Sequence, residues 1–381
     1  MSERLVLEQL EPTLPSHYYF DAEHHAREMD VFWNRHWICV GTANGIGSVG
    51  DYKVVDVDDQ SIVITRASNG ELHGFHNTCR HRGSILCEQD QGTFHNECVV
   101  CPYHAWTYSL DGDLLRTPRR LPSDDFDASN FSLYRIGVFE WAGFVFINLG
   151  TEENASAESA LEGMPSRFSN WQLDSAAIGH STRVELACNW KVFWENFEEC
   201  YHCPGVHPEL CQIVPLYGHG WTSASDNPEW TPPTADVISR EPRLAPGATT
   251  WSMDGKPVAP EFSGLDPDEK SAGHTYGVSM PSCYFVAHID YARMVHMLPL
   301  GPETTRLSIH WLFNPQTLAQ DEVDVEKIIA LGKLVVEQDG RACELNQRGL
   351  RSRRHANGVL VPQEYSISHF HRWIREQLAT N

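Results

Sequence analysis

The sequence predicts an α+β chain of two domains, a small β-rich one followed by a larger one that mixes strands with helices. Three observations predict this. Short alternating runs between Gly and Asn turns fill residues 36–148. A small, polar, acidic stretch at 151–159 (TEENASAES) interrupts them and reads as a domain boundary. Beyond it, apolar residues recur at helical spacing in some segments and run as strands in others. A length of 381 residues suits two or three domains, and 41% hydrophobic residues suffices for a packed core.

Residues 1–35 are polar and partly helical in pattern (AEHHAREMDVFWNRHW). The strand-like runs that follow include DYKVVDV (51–57), QSIVITRA (60–67) and FEWAGFVFINL (139–149). In NWKVFWENFEECYHCPGVHP (189–208), Trp190, Phe193, Trp194, Phe197 and Tyr201 recur at helical spacing and predict a buried helix. Residues 218–276 carry eight prolines and little periodicity, so they read as a long functional loop or an interface arm. Residues 283–300 and 305–313 read as long strands, and 321–350 as one long amphipathic helix.

Charge narrows the function. Lys plus Arg total 29 and Asp plus Glu 51, giving a formal net charge of −22. Phosphate contacts need clustered cations, so nucleic acid and anionic membrane are poor partners. No apolar run approaches a bilayer span, and MSERLVLEQLEP lacks the apolar stretch of a secretory signal. A cytoplasmic location is the expectation. The cysteines number 11, an odd count scattered through a large chain, which is not a disulfide framework. With 20 histidines beside them, metal or redox chemistry is the better reading.

Two constellations carry that chemistry. The first is Cys79-Arg80-His81 with Cys101-Pro102-Tyr103-His104. A Cys₂His₂ zinc site uses the same ligands. Here, however, each loop pairs one thiolate with one imidazole, as a Rieske [2Fe–2S] cluster requires: two thiolates on one iron, two imidazoles on the other. The second constellation lies in 189–208. Glu195, Glu199 and His202 share a helical stripe, and Pro204-Gly205 then breaks the helix and can bring His207 back towards His202. Cys200 and Cys203 fall on other faces of that helix. Acidic and imidazole groups among aromatics need a partner or a metal. Two histidines with one carboxylate make the site of non-haem iron(II) oxygenases. Asp339 is the best carboxylate, because it sits on the apolar stripe of its helix with Val335, Val336, Ala342 and Cys343. Glu337 and Asp321 occupy more solvated positions, and an ordinary surface acid is the other reading of Asp339.

CRHRG (79–83), CPYHAW (101–106), the run 189–208, QDGRACELNQRGLRS, GPETTRLSIHWLF (301–313) and HFHRW (369–373) together resemble the alpha subunits of Rieske non-haem iron oxygenases. The resemblance implies a small β-sandwich Rieske domain over 36–150. It implies a catalytic domain over 151–381, a curved antiparallel sheet wrapped by helices in a helix-grip arrangement, with 1–35 packing on it. It implies Cys79, His81, Cys101 and His104 as ligands of a [2Fe–2S] cluster. His202, His207 and Asp339 match the ligands of a mononuclear Fe(II), and Glu199 the bridging acid between the two centres. The gap between His81 and Cys101 is longer than the family pattern and reads as a small hairpin insertion, leaving Cys87 and Cys98 as spare cysteines. The resemblance further implies O₂ and a small molecule as substrates, a separate NAD(P)H-dependent flavin/iron–sulfur reductase, and a homotrimer with head-to-tail contacts.

Glutamate at 199, and the run ECYHCPGVHP, resemble the branch of carnitine and choline monooxygenases and of glycine betaine and stachydrine demethylases. That favours monooxygenation of a betaine-like quaternary amine, by N-demethylation or hydroxylation, over aromatic ring (di)oxygenation. A non-catalytic Rieske electron carrier leaves residues 180–381 without a purpose. A GxGxxG run at 45–50 precedes a strand rather than a helix, so it reads as a turn and not as a dinucleotide site.

Overall fold

The computed structural model describes residues 6–227, 242–257, 259–319 and 323–380. They form two compact units: Phe32–Pro165 with Ser279–Ser282, and Met1–Val31 with Ser166–Val278 and Cys283–Asn381.

The smaller unit is built on a seven-stranded antiparallel sheet. Its strands are β1 (Ile38–Thr42), β2 (Asp51–Val57), β3 (Gln60–Arg66), β4 (Leu72–His76), β5 (Gln91–Thr93), β9 (Arg135–Trp141) and β10 (Phe144–Asn148), in the order β1-β10-β9-β4-β3-β2-β5. The intervening strands β6 (Cys98–Val100), β7 (Thr107–Ser109) and β8 (Leu114–Arg116) make a second, three-stranded sheet. Val63 and Phe75 of the first sheet share one core with Val99, Tyr108 and Leu114 of the second, which makes the unit a sandwich. Cys79, Cys101 and Trp106 lie in that same core.

Of three local expectations here, the first and third change and the second holds. Residues 91–93 do not form a separate hairpin; they add the edge strand β5, pairing Asp51 with Thr93. The 45–50 run is a turn with Gly45 and Gly50 at φ +88° and +84°, and β2 follows it directly. Residues 151–159 are not a free linker. Gly137 donates its N–H to the Thr151 carbonyl at 2.6 Å, and Val138 donates to Asn154 Oδ1 at 3.0 Å. These bonds satisfy β9 backbone groups, so the smaller unit runs on to Pro165.

The larger unit holds a five-stranded antiparallel sheet of β11 (Ala177–Leu186), β12 (His274–Ser279), β13 (Cys283–His288), β14 (Ala292–Gly301) and β15 (Thr304–Phe313), ordered β11-β15-β14-β13-β12. Register shifts at Ile178/His180 and Pro299/Gly301 bend it. Residues 283–300 are therefore a hairpin and not one long strand. Asp290, fully buried in its turn, accepts a hydrogen bond from Thr250 Oγ1 at 2.5 Å. The helices of this unit include α1 (Ala22–Glu28), α2 (Trp190–Phe197), α3 (Cys203–Val206), α4 (Pro208–Ile213), α5 (Val325–Leu350) and α6 (Tyr365–Ala379). Asp324 caps α5 by accepting from Lys327 N at 3.2 Å; Asp321 lies outside the described residues. Among the described residues no helix is long and apolar enough to cross a membrane.

A buried ion pair fastens α1 to α2. Lys191 Nζ lies 2.6 Å from Glu28 Oε1, and both side chains are fully enclosed. Trp190 Nε1 donates to the second Glu28 oxygen at 3.0 Å, so the carboxylate is satisfied twice over. The helix predicted to run from 189 up to the Pro204-Gly205 break stops at Phe197, and Tyr201, read as buried, is 52% exposed.

Candidate metal centres

In the smaller unit two tight loops bring Cys79, His81, Cys101 and His104 into one cluster. In the first, Cys79 N donates to Ser84 O at 2.8 Å and Gly83 N to Cys79 O at 2.9 Å, with Gly83 at φ +75°. In the second, Cys101 N donates to Trp106 O at 2.8 Å and Ala105 N to Cys101 O at 3.1 Å. Each loop buries its cysteine and exposes its histidine. The two imidazole rings are 4.7 Å apart, and His81 stacks on Trp106 at 4.8 Å and 7°. Tyr108 Oη accepts the Arg80 N–H at 3.2 Å and lies 3.2 Å from Cys79 Sγ, to which it donates when Cys79 is a thiolate ligand. His81 is held below the usual histidine range by burial first, then by His104 and Arg82. That favours the neutral imidazole a metal needs. Cys87 and Cys98 stand apart: Cys98 sits on β6 opposite Ser109, and burial pushes the Cys87 thiol up to about 12.

In the larger unit His202, His207 and Asp339 each present one ligand atom to a common point, all within 4.8 Å of one another. His207 Nε2 is 2.7 Å from Asp339 Oδ1, His202 Nε2 is 3.5 Å from the same oxygen, and the two Nε2 atoms are 3.2 Å apart. The opposite ring nitrogens face away. His202 Nδ1 meets Glu199 Oε1 at 2.6 Å, and His207 Nδ1 meets Gln338 Oε1 at 2.8 Å. Gln338 is braced in turn, donating from Nε2 to Glu209 Oε2 at 3.0 Å. Each imidazole thus has its Nδ1 proton fixed and its Nε2 lone pair aimed inward, which is how ligating histidines are oriented. Burial is the largest single influence and pulls both histidines down, but Asp339, Cys203 and Glu199 together leave His202 raised, and Asp339, Gln338 and Cys203 together leave His207 raised. Burial alone would raise Asp339, and the two histidines bring it below the usual carboxylate range instead.

The chain reaches this geometry by a route the helical pattern does not contain. Glu198 is the C-cap of α2, so Glu199 and His202 meet across a turn and not along a helical stripe. Glu195 belongs elsewhere, accepting from Tyr19 Oη at 2.6 Å and lying 2.9 Å from His371 Nε2. Cys203, expected on another face, has its sulfur 3.9 Å from His202 Nε2. Glu337 and Glu344 are not part of the cluster.

The triad opens into a cavity of about 230 Å³. Tyr217, Trp251 and Tyr276 form an aromatic wall, with Tyr217–Trp251 at 5.9 Å and 84° and Trp251–Tyr276 at 6.2 Å and 71°. Phe197 and Tyr284, stacked at 3.7 Å, extend it. Glu198 lines the same space, and burial pushes its carboxyl up to about 7. Sequence reading missed this lining. Tyr217 sits at the edge of the proline-rich stretch, Trp251 and Tyr276 lie within it, and that stretch has no periodicity to reveal which rings converge.

Residues 173–380 match the model of the ring hydroxylating alpha subunit (catalytic domain), and 36–127 match the Rieske [2Fe–2S] domain. The chain belongs to the ring hydroxylating alpha subunits. It is 29% identical to the glycine betaine monooxygenase oxygenase subunit of Chromohalobacter salexigens, over 96% of this chain and 86% of that one. It is 29% identical to the carnitine monooxygenase oxygenase subunit of Acinetobacter baumannii, over 90% and 86%. Its fold is similar to that of the quaternary ammonium Rieske monooxygenase CntA, with a TM-score of 0.70 at 24% identity, covering 97% and 96%. The protein is a Rieske non-haem iron oxygenase. Its two domains imply a Rieske cluster and a mononuclear iron, and the donor sets fit both. Two buried thiolates and two exposed imidazoles suit a cluster with one solvent-facing iron, and two imidazoles with one carboxylate suit iron(II) with open positions.

Proposed function

We propose that this oxygenase is the terminal component of a system that monooxygenates a betaine-like quaternary amine, by N-demethylation or hydroxylation. Cys79, His81, Cys101 and His104 hold the cluster, and His202, His207 and Asp339 hold the mononuclear iron. When bound, the two groups supply O₂ activation and the electrons for it, delivered from a separate NAD(P)H-dependent flavin/iron–sulfur reductase. Glu199 holds the Nδ1 proton of His202 and, in a head-to-tail homotrimer, links that ligand to the cluster of the adjoining subunit.

The observation that carries the substrate reading is the cavity lining. A quaternary ammonium has no N–H to donate, so it is recognised by aromatic faces and by charge. Tyr217, Trp251 and Tyr276 supply the rings, and Glu198 the charge, beside the triad. Residues around the cavity exclude water and hold one N-methyl group towards the iron. For N-demethylation the balance is simple. O₂, two electrons and two protons convert the methyl group to a hydroxymethyl group and water. Collapse of that hemiaminal releases formaldehyde and one proton and leaves a tertiary amine. The neutral alternative, an arene, needs an apolar slot and gains nothing from Glu198.

The test is turnover with a reductase and NADH on a panel of trimethylammonium compounds and a panel of arenes. Formaldehyde or a hydroxylated amine from the first panel is the expected result. Diols from the second, with no product from the first, would make the chain an arene dioxygenase.

A further inference from the structure

Arg293 is a buried cation of the larger unit. It projects from β14 and is 5% exposed. Among the described residues no carboxylate forms an ion pair with it. Its one hydrogen bond is a long one, from Nη1 to the Gly332 carbonyl at 3.4 Å, and its Nε has no partner. A guanidinium this enclosed is costly unless an anion meets it. It also lines the cavity that holds the iron triad and the aromatic wall.

The helix opposite makes room for it. Gly332 lies in the interior of α5, where glycine costs about 1 kcal/mol relative to alanine. A Cβ there would stand 2.9 Å from Arg293 Nη1, too close for both to stay in place. The helix thus keeps a weak residue where a side chain would displace the guanidinium.

The cavity has a second unpaired charge of opposite sign. Glu198 makes no ion pair and no side-chain hydrogen bond among the described residues, and it is not matched to Arg293. It caps α2 and precedes Glu199, the acid that meets His202. Arg293 lies away from the triad. It touches Gly332, seven residues before Asp339 on α5, and that spacing is about 10 Å along a helix axis. One cavity thus offers aromatic faces, an acid and a cation with a free Nε.

We propose that Arg293 is the carboxylate receptor of this site, so that the preferred substrate is a trimethylammonio-carboxylate and not a trimethylammonio-alcohol. The inference rests on the quaternary-amine reading and adds the polarity of binding. The carboxylate docks on the guanidinium towards Gly332, and the ammonium lies against Tyr217, Trp251, Tyr276 and Glu198. The N-methyl groups then face His202, His207 and Asp339. A planar fork suits a carboxylate in a way a point charge does not.

The test is calorimetric binding to the metal-loaded enzyme. The probes are tetramethylammonium, choline, and a series of trimethylammonio-carboxylates with one to three carbons between the charges, each with its methyl ester. The ester keeps the cation and the shape and removes the anion. In the wild type, the best-binding carboxylate should exceed its own ester by about 10- to 100-fold, the range of a charged hydrogen bond. Arg293→Met should erase that ratio and leave tetramethylammonium within about twofold, since the rings carry cation binding. Arg293→Lys, which keeps the charge and loses the fork, should fall between them. It stands in for the methionine variant if that one does not fold.

Equal wild-type affinities for carboxylate and ester across the series would overturn the inference while leaving the quaternary-amine reading intact. So would a ratio that survives in Arg293→Met. No binding of tetramethylammonium or any other cation would remove the quaternary-amine reading itself, and this inference with it.

Discussion

Glu199 grips His202 at two points. One carboxylate oxygen lies 2.6 Å from the ring Nδ1, and the other accepts the backbone N–H of the same residue at 3.0 Å. The two bonds fix both the ring and the turn that carries it, so the Nε2 lone pair points at the metal position. A carboxylate in this role orients the ligand and makes it more basic.

Glu199→Gln should therefore keep both metal centres and lose turnover. The amide oxygen can still accept from Nδ1, so the ring stays in place. The charge that makes the ligand more basic is gone. Iron and sulfide analysis should match the wild type, and the reductase should still reduce the cluster. Reoxidation on adding substrate and O₂ should slow by about tenfold or more, in line with losses at such supporting positions. Wild-type reoxidation, followed by stopped-flow absorbance, would remove Glu199 from the electron path. Glu199→Asp keeps the charge and shortens the reach by one methylene, so partial activity is expected.

Asp339 and Gln338 are neighbours with different jobs, and the difference is measurable. Asp339→Ala removes a ligand oxygen, so the variant should lose mononuclear iron and keep the Rieske absorbance and EPR signal. Gln338→Leu leaves the three ligand atoms and removes the bond that holds His207 Nδ1. It should bind iron about 10- to 100-fold more weakly, read by competition with a chelator. Full iron in Asp339→Ala would move the third ligand elsewhere.

The Rieske loops were legible because their ligands come as two short runs of fixed spacing, and a run keeps its meaning whatever packs around it. Asp339 was a candidate because a carboxylate on an apolar stripe has to be answered, His202 and His207 because they stand with acids among aromatics, and the family resemblance joined the three. What the stripe could not convey was the end of α2. The pattern continues in the sequence past Phe197, yet the chain leaves the helix there and turns Tyr201 out to solvent. Gln338 was invisible because a glutamine beside an acid carries no signal of its own. The cavity wall was invisible for a different reason. Trp251 and Tyr276 reach it from an aperiodic, proline-rich stretch and Arg293 from a strand, and only tertiary structure brings them together.

Tyr108 should tune the cluster. Its hydroxyl accepts from Arg80 N and donates to Cys79 Sγ, 3.2 Å away, when Cys79 is a thiolate ligand. A donor to a ligand sulfur stabilises the more negative, reduced cluster. Tyr108→Phe should lower the reduction potential and leave the ligands in place. Protein-film voltammetry reads the shift; an unchanged or raised potential would mean that the proton points elsewhere.

Lys191 and Glu28 should behave as a unit in stability. Lys191→Met leaves a fully enclosed Glu28 without its cation, a loss of about 3–5 kcal/mol for a broken buried pair. Adding Glu28→Gln removes the stranded charge, and the double variant should recover much of that loss. Urea unfolding of the single and double variants measures the coupling. Strict additivity of the two losses would show that the pair contributes nothing as a pair.

Glu198 gives the site a pH dependence whose sign can be worked out. Burial pushes its carboxyl up to about 7. Below that pH the group is protonated and neutral, and a cation in the cavity meets only the aromatic faces. Above it the group is ionised and attracts the cation, which in turn favours ionisation. Affinity for tetramethylammonium should therefore rise as pH is raised through 7 and level off above 8. Its slope is at most tenfold per pH unit, the limit for one coupled proton. Glu198→Gln should bind more weakly at pH 8 and show no dependence between pH 6 and 8. A neutral arene should show none in either protein, which separates the charge from any general effect of pH on the fold. The readout is calorimetry on the metal-loaded enzyme at each pH. A flat wild-type profile for tetramethylammonium would mean that Glu198 does not face the bound cation, and the charge assigned to the cavity would have to come from another group.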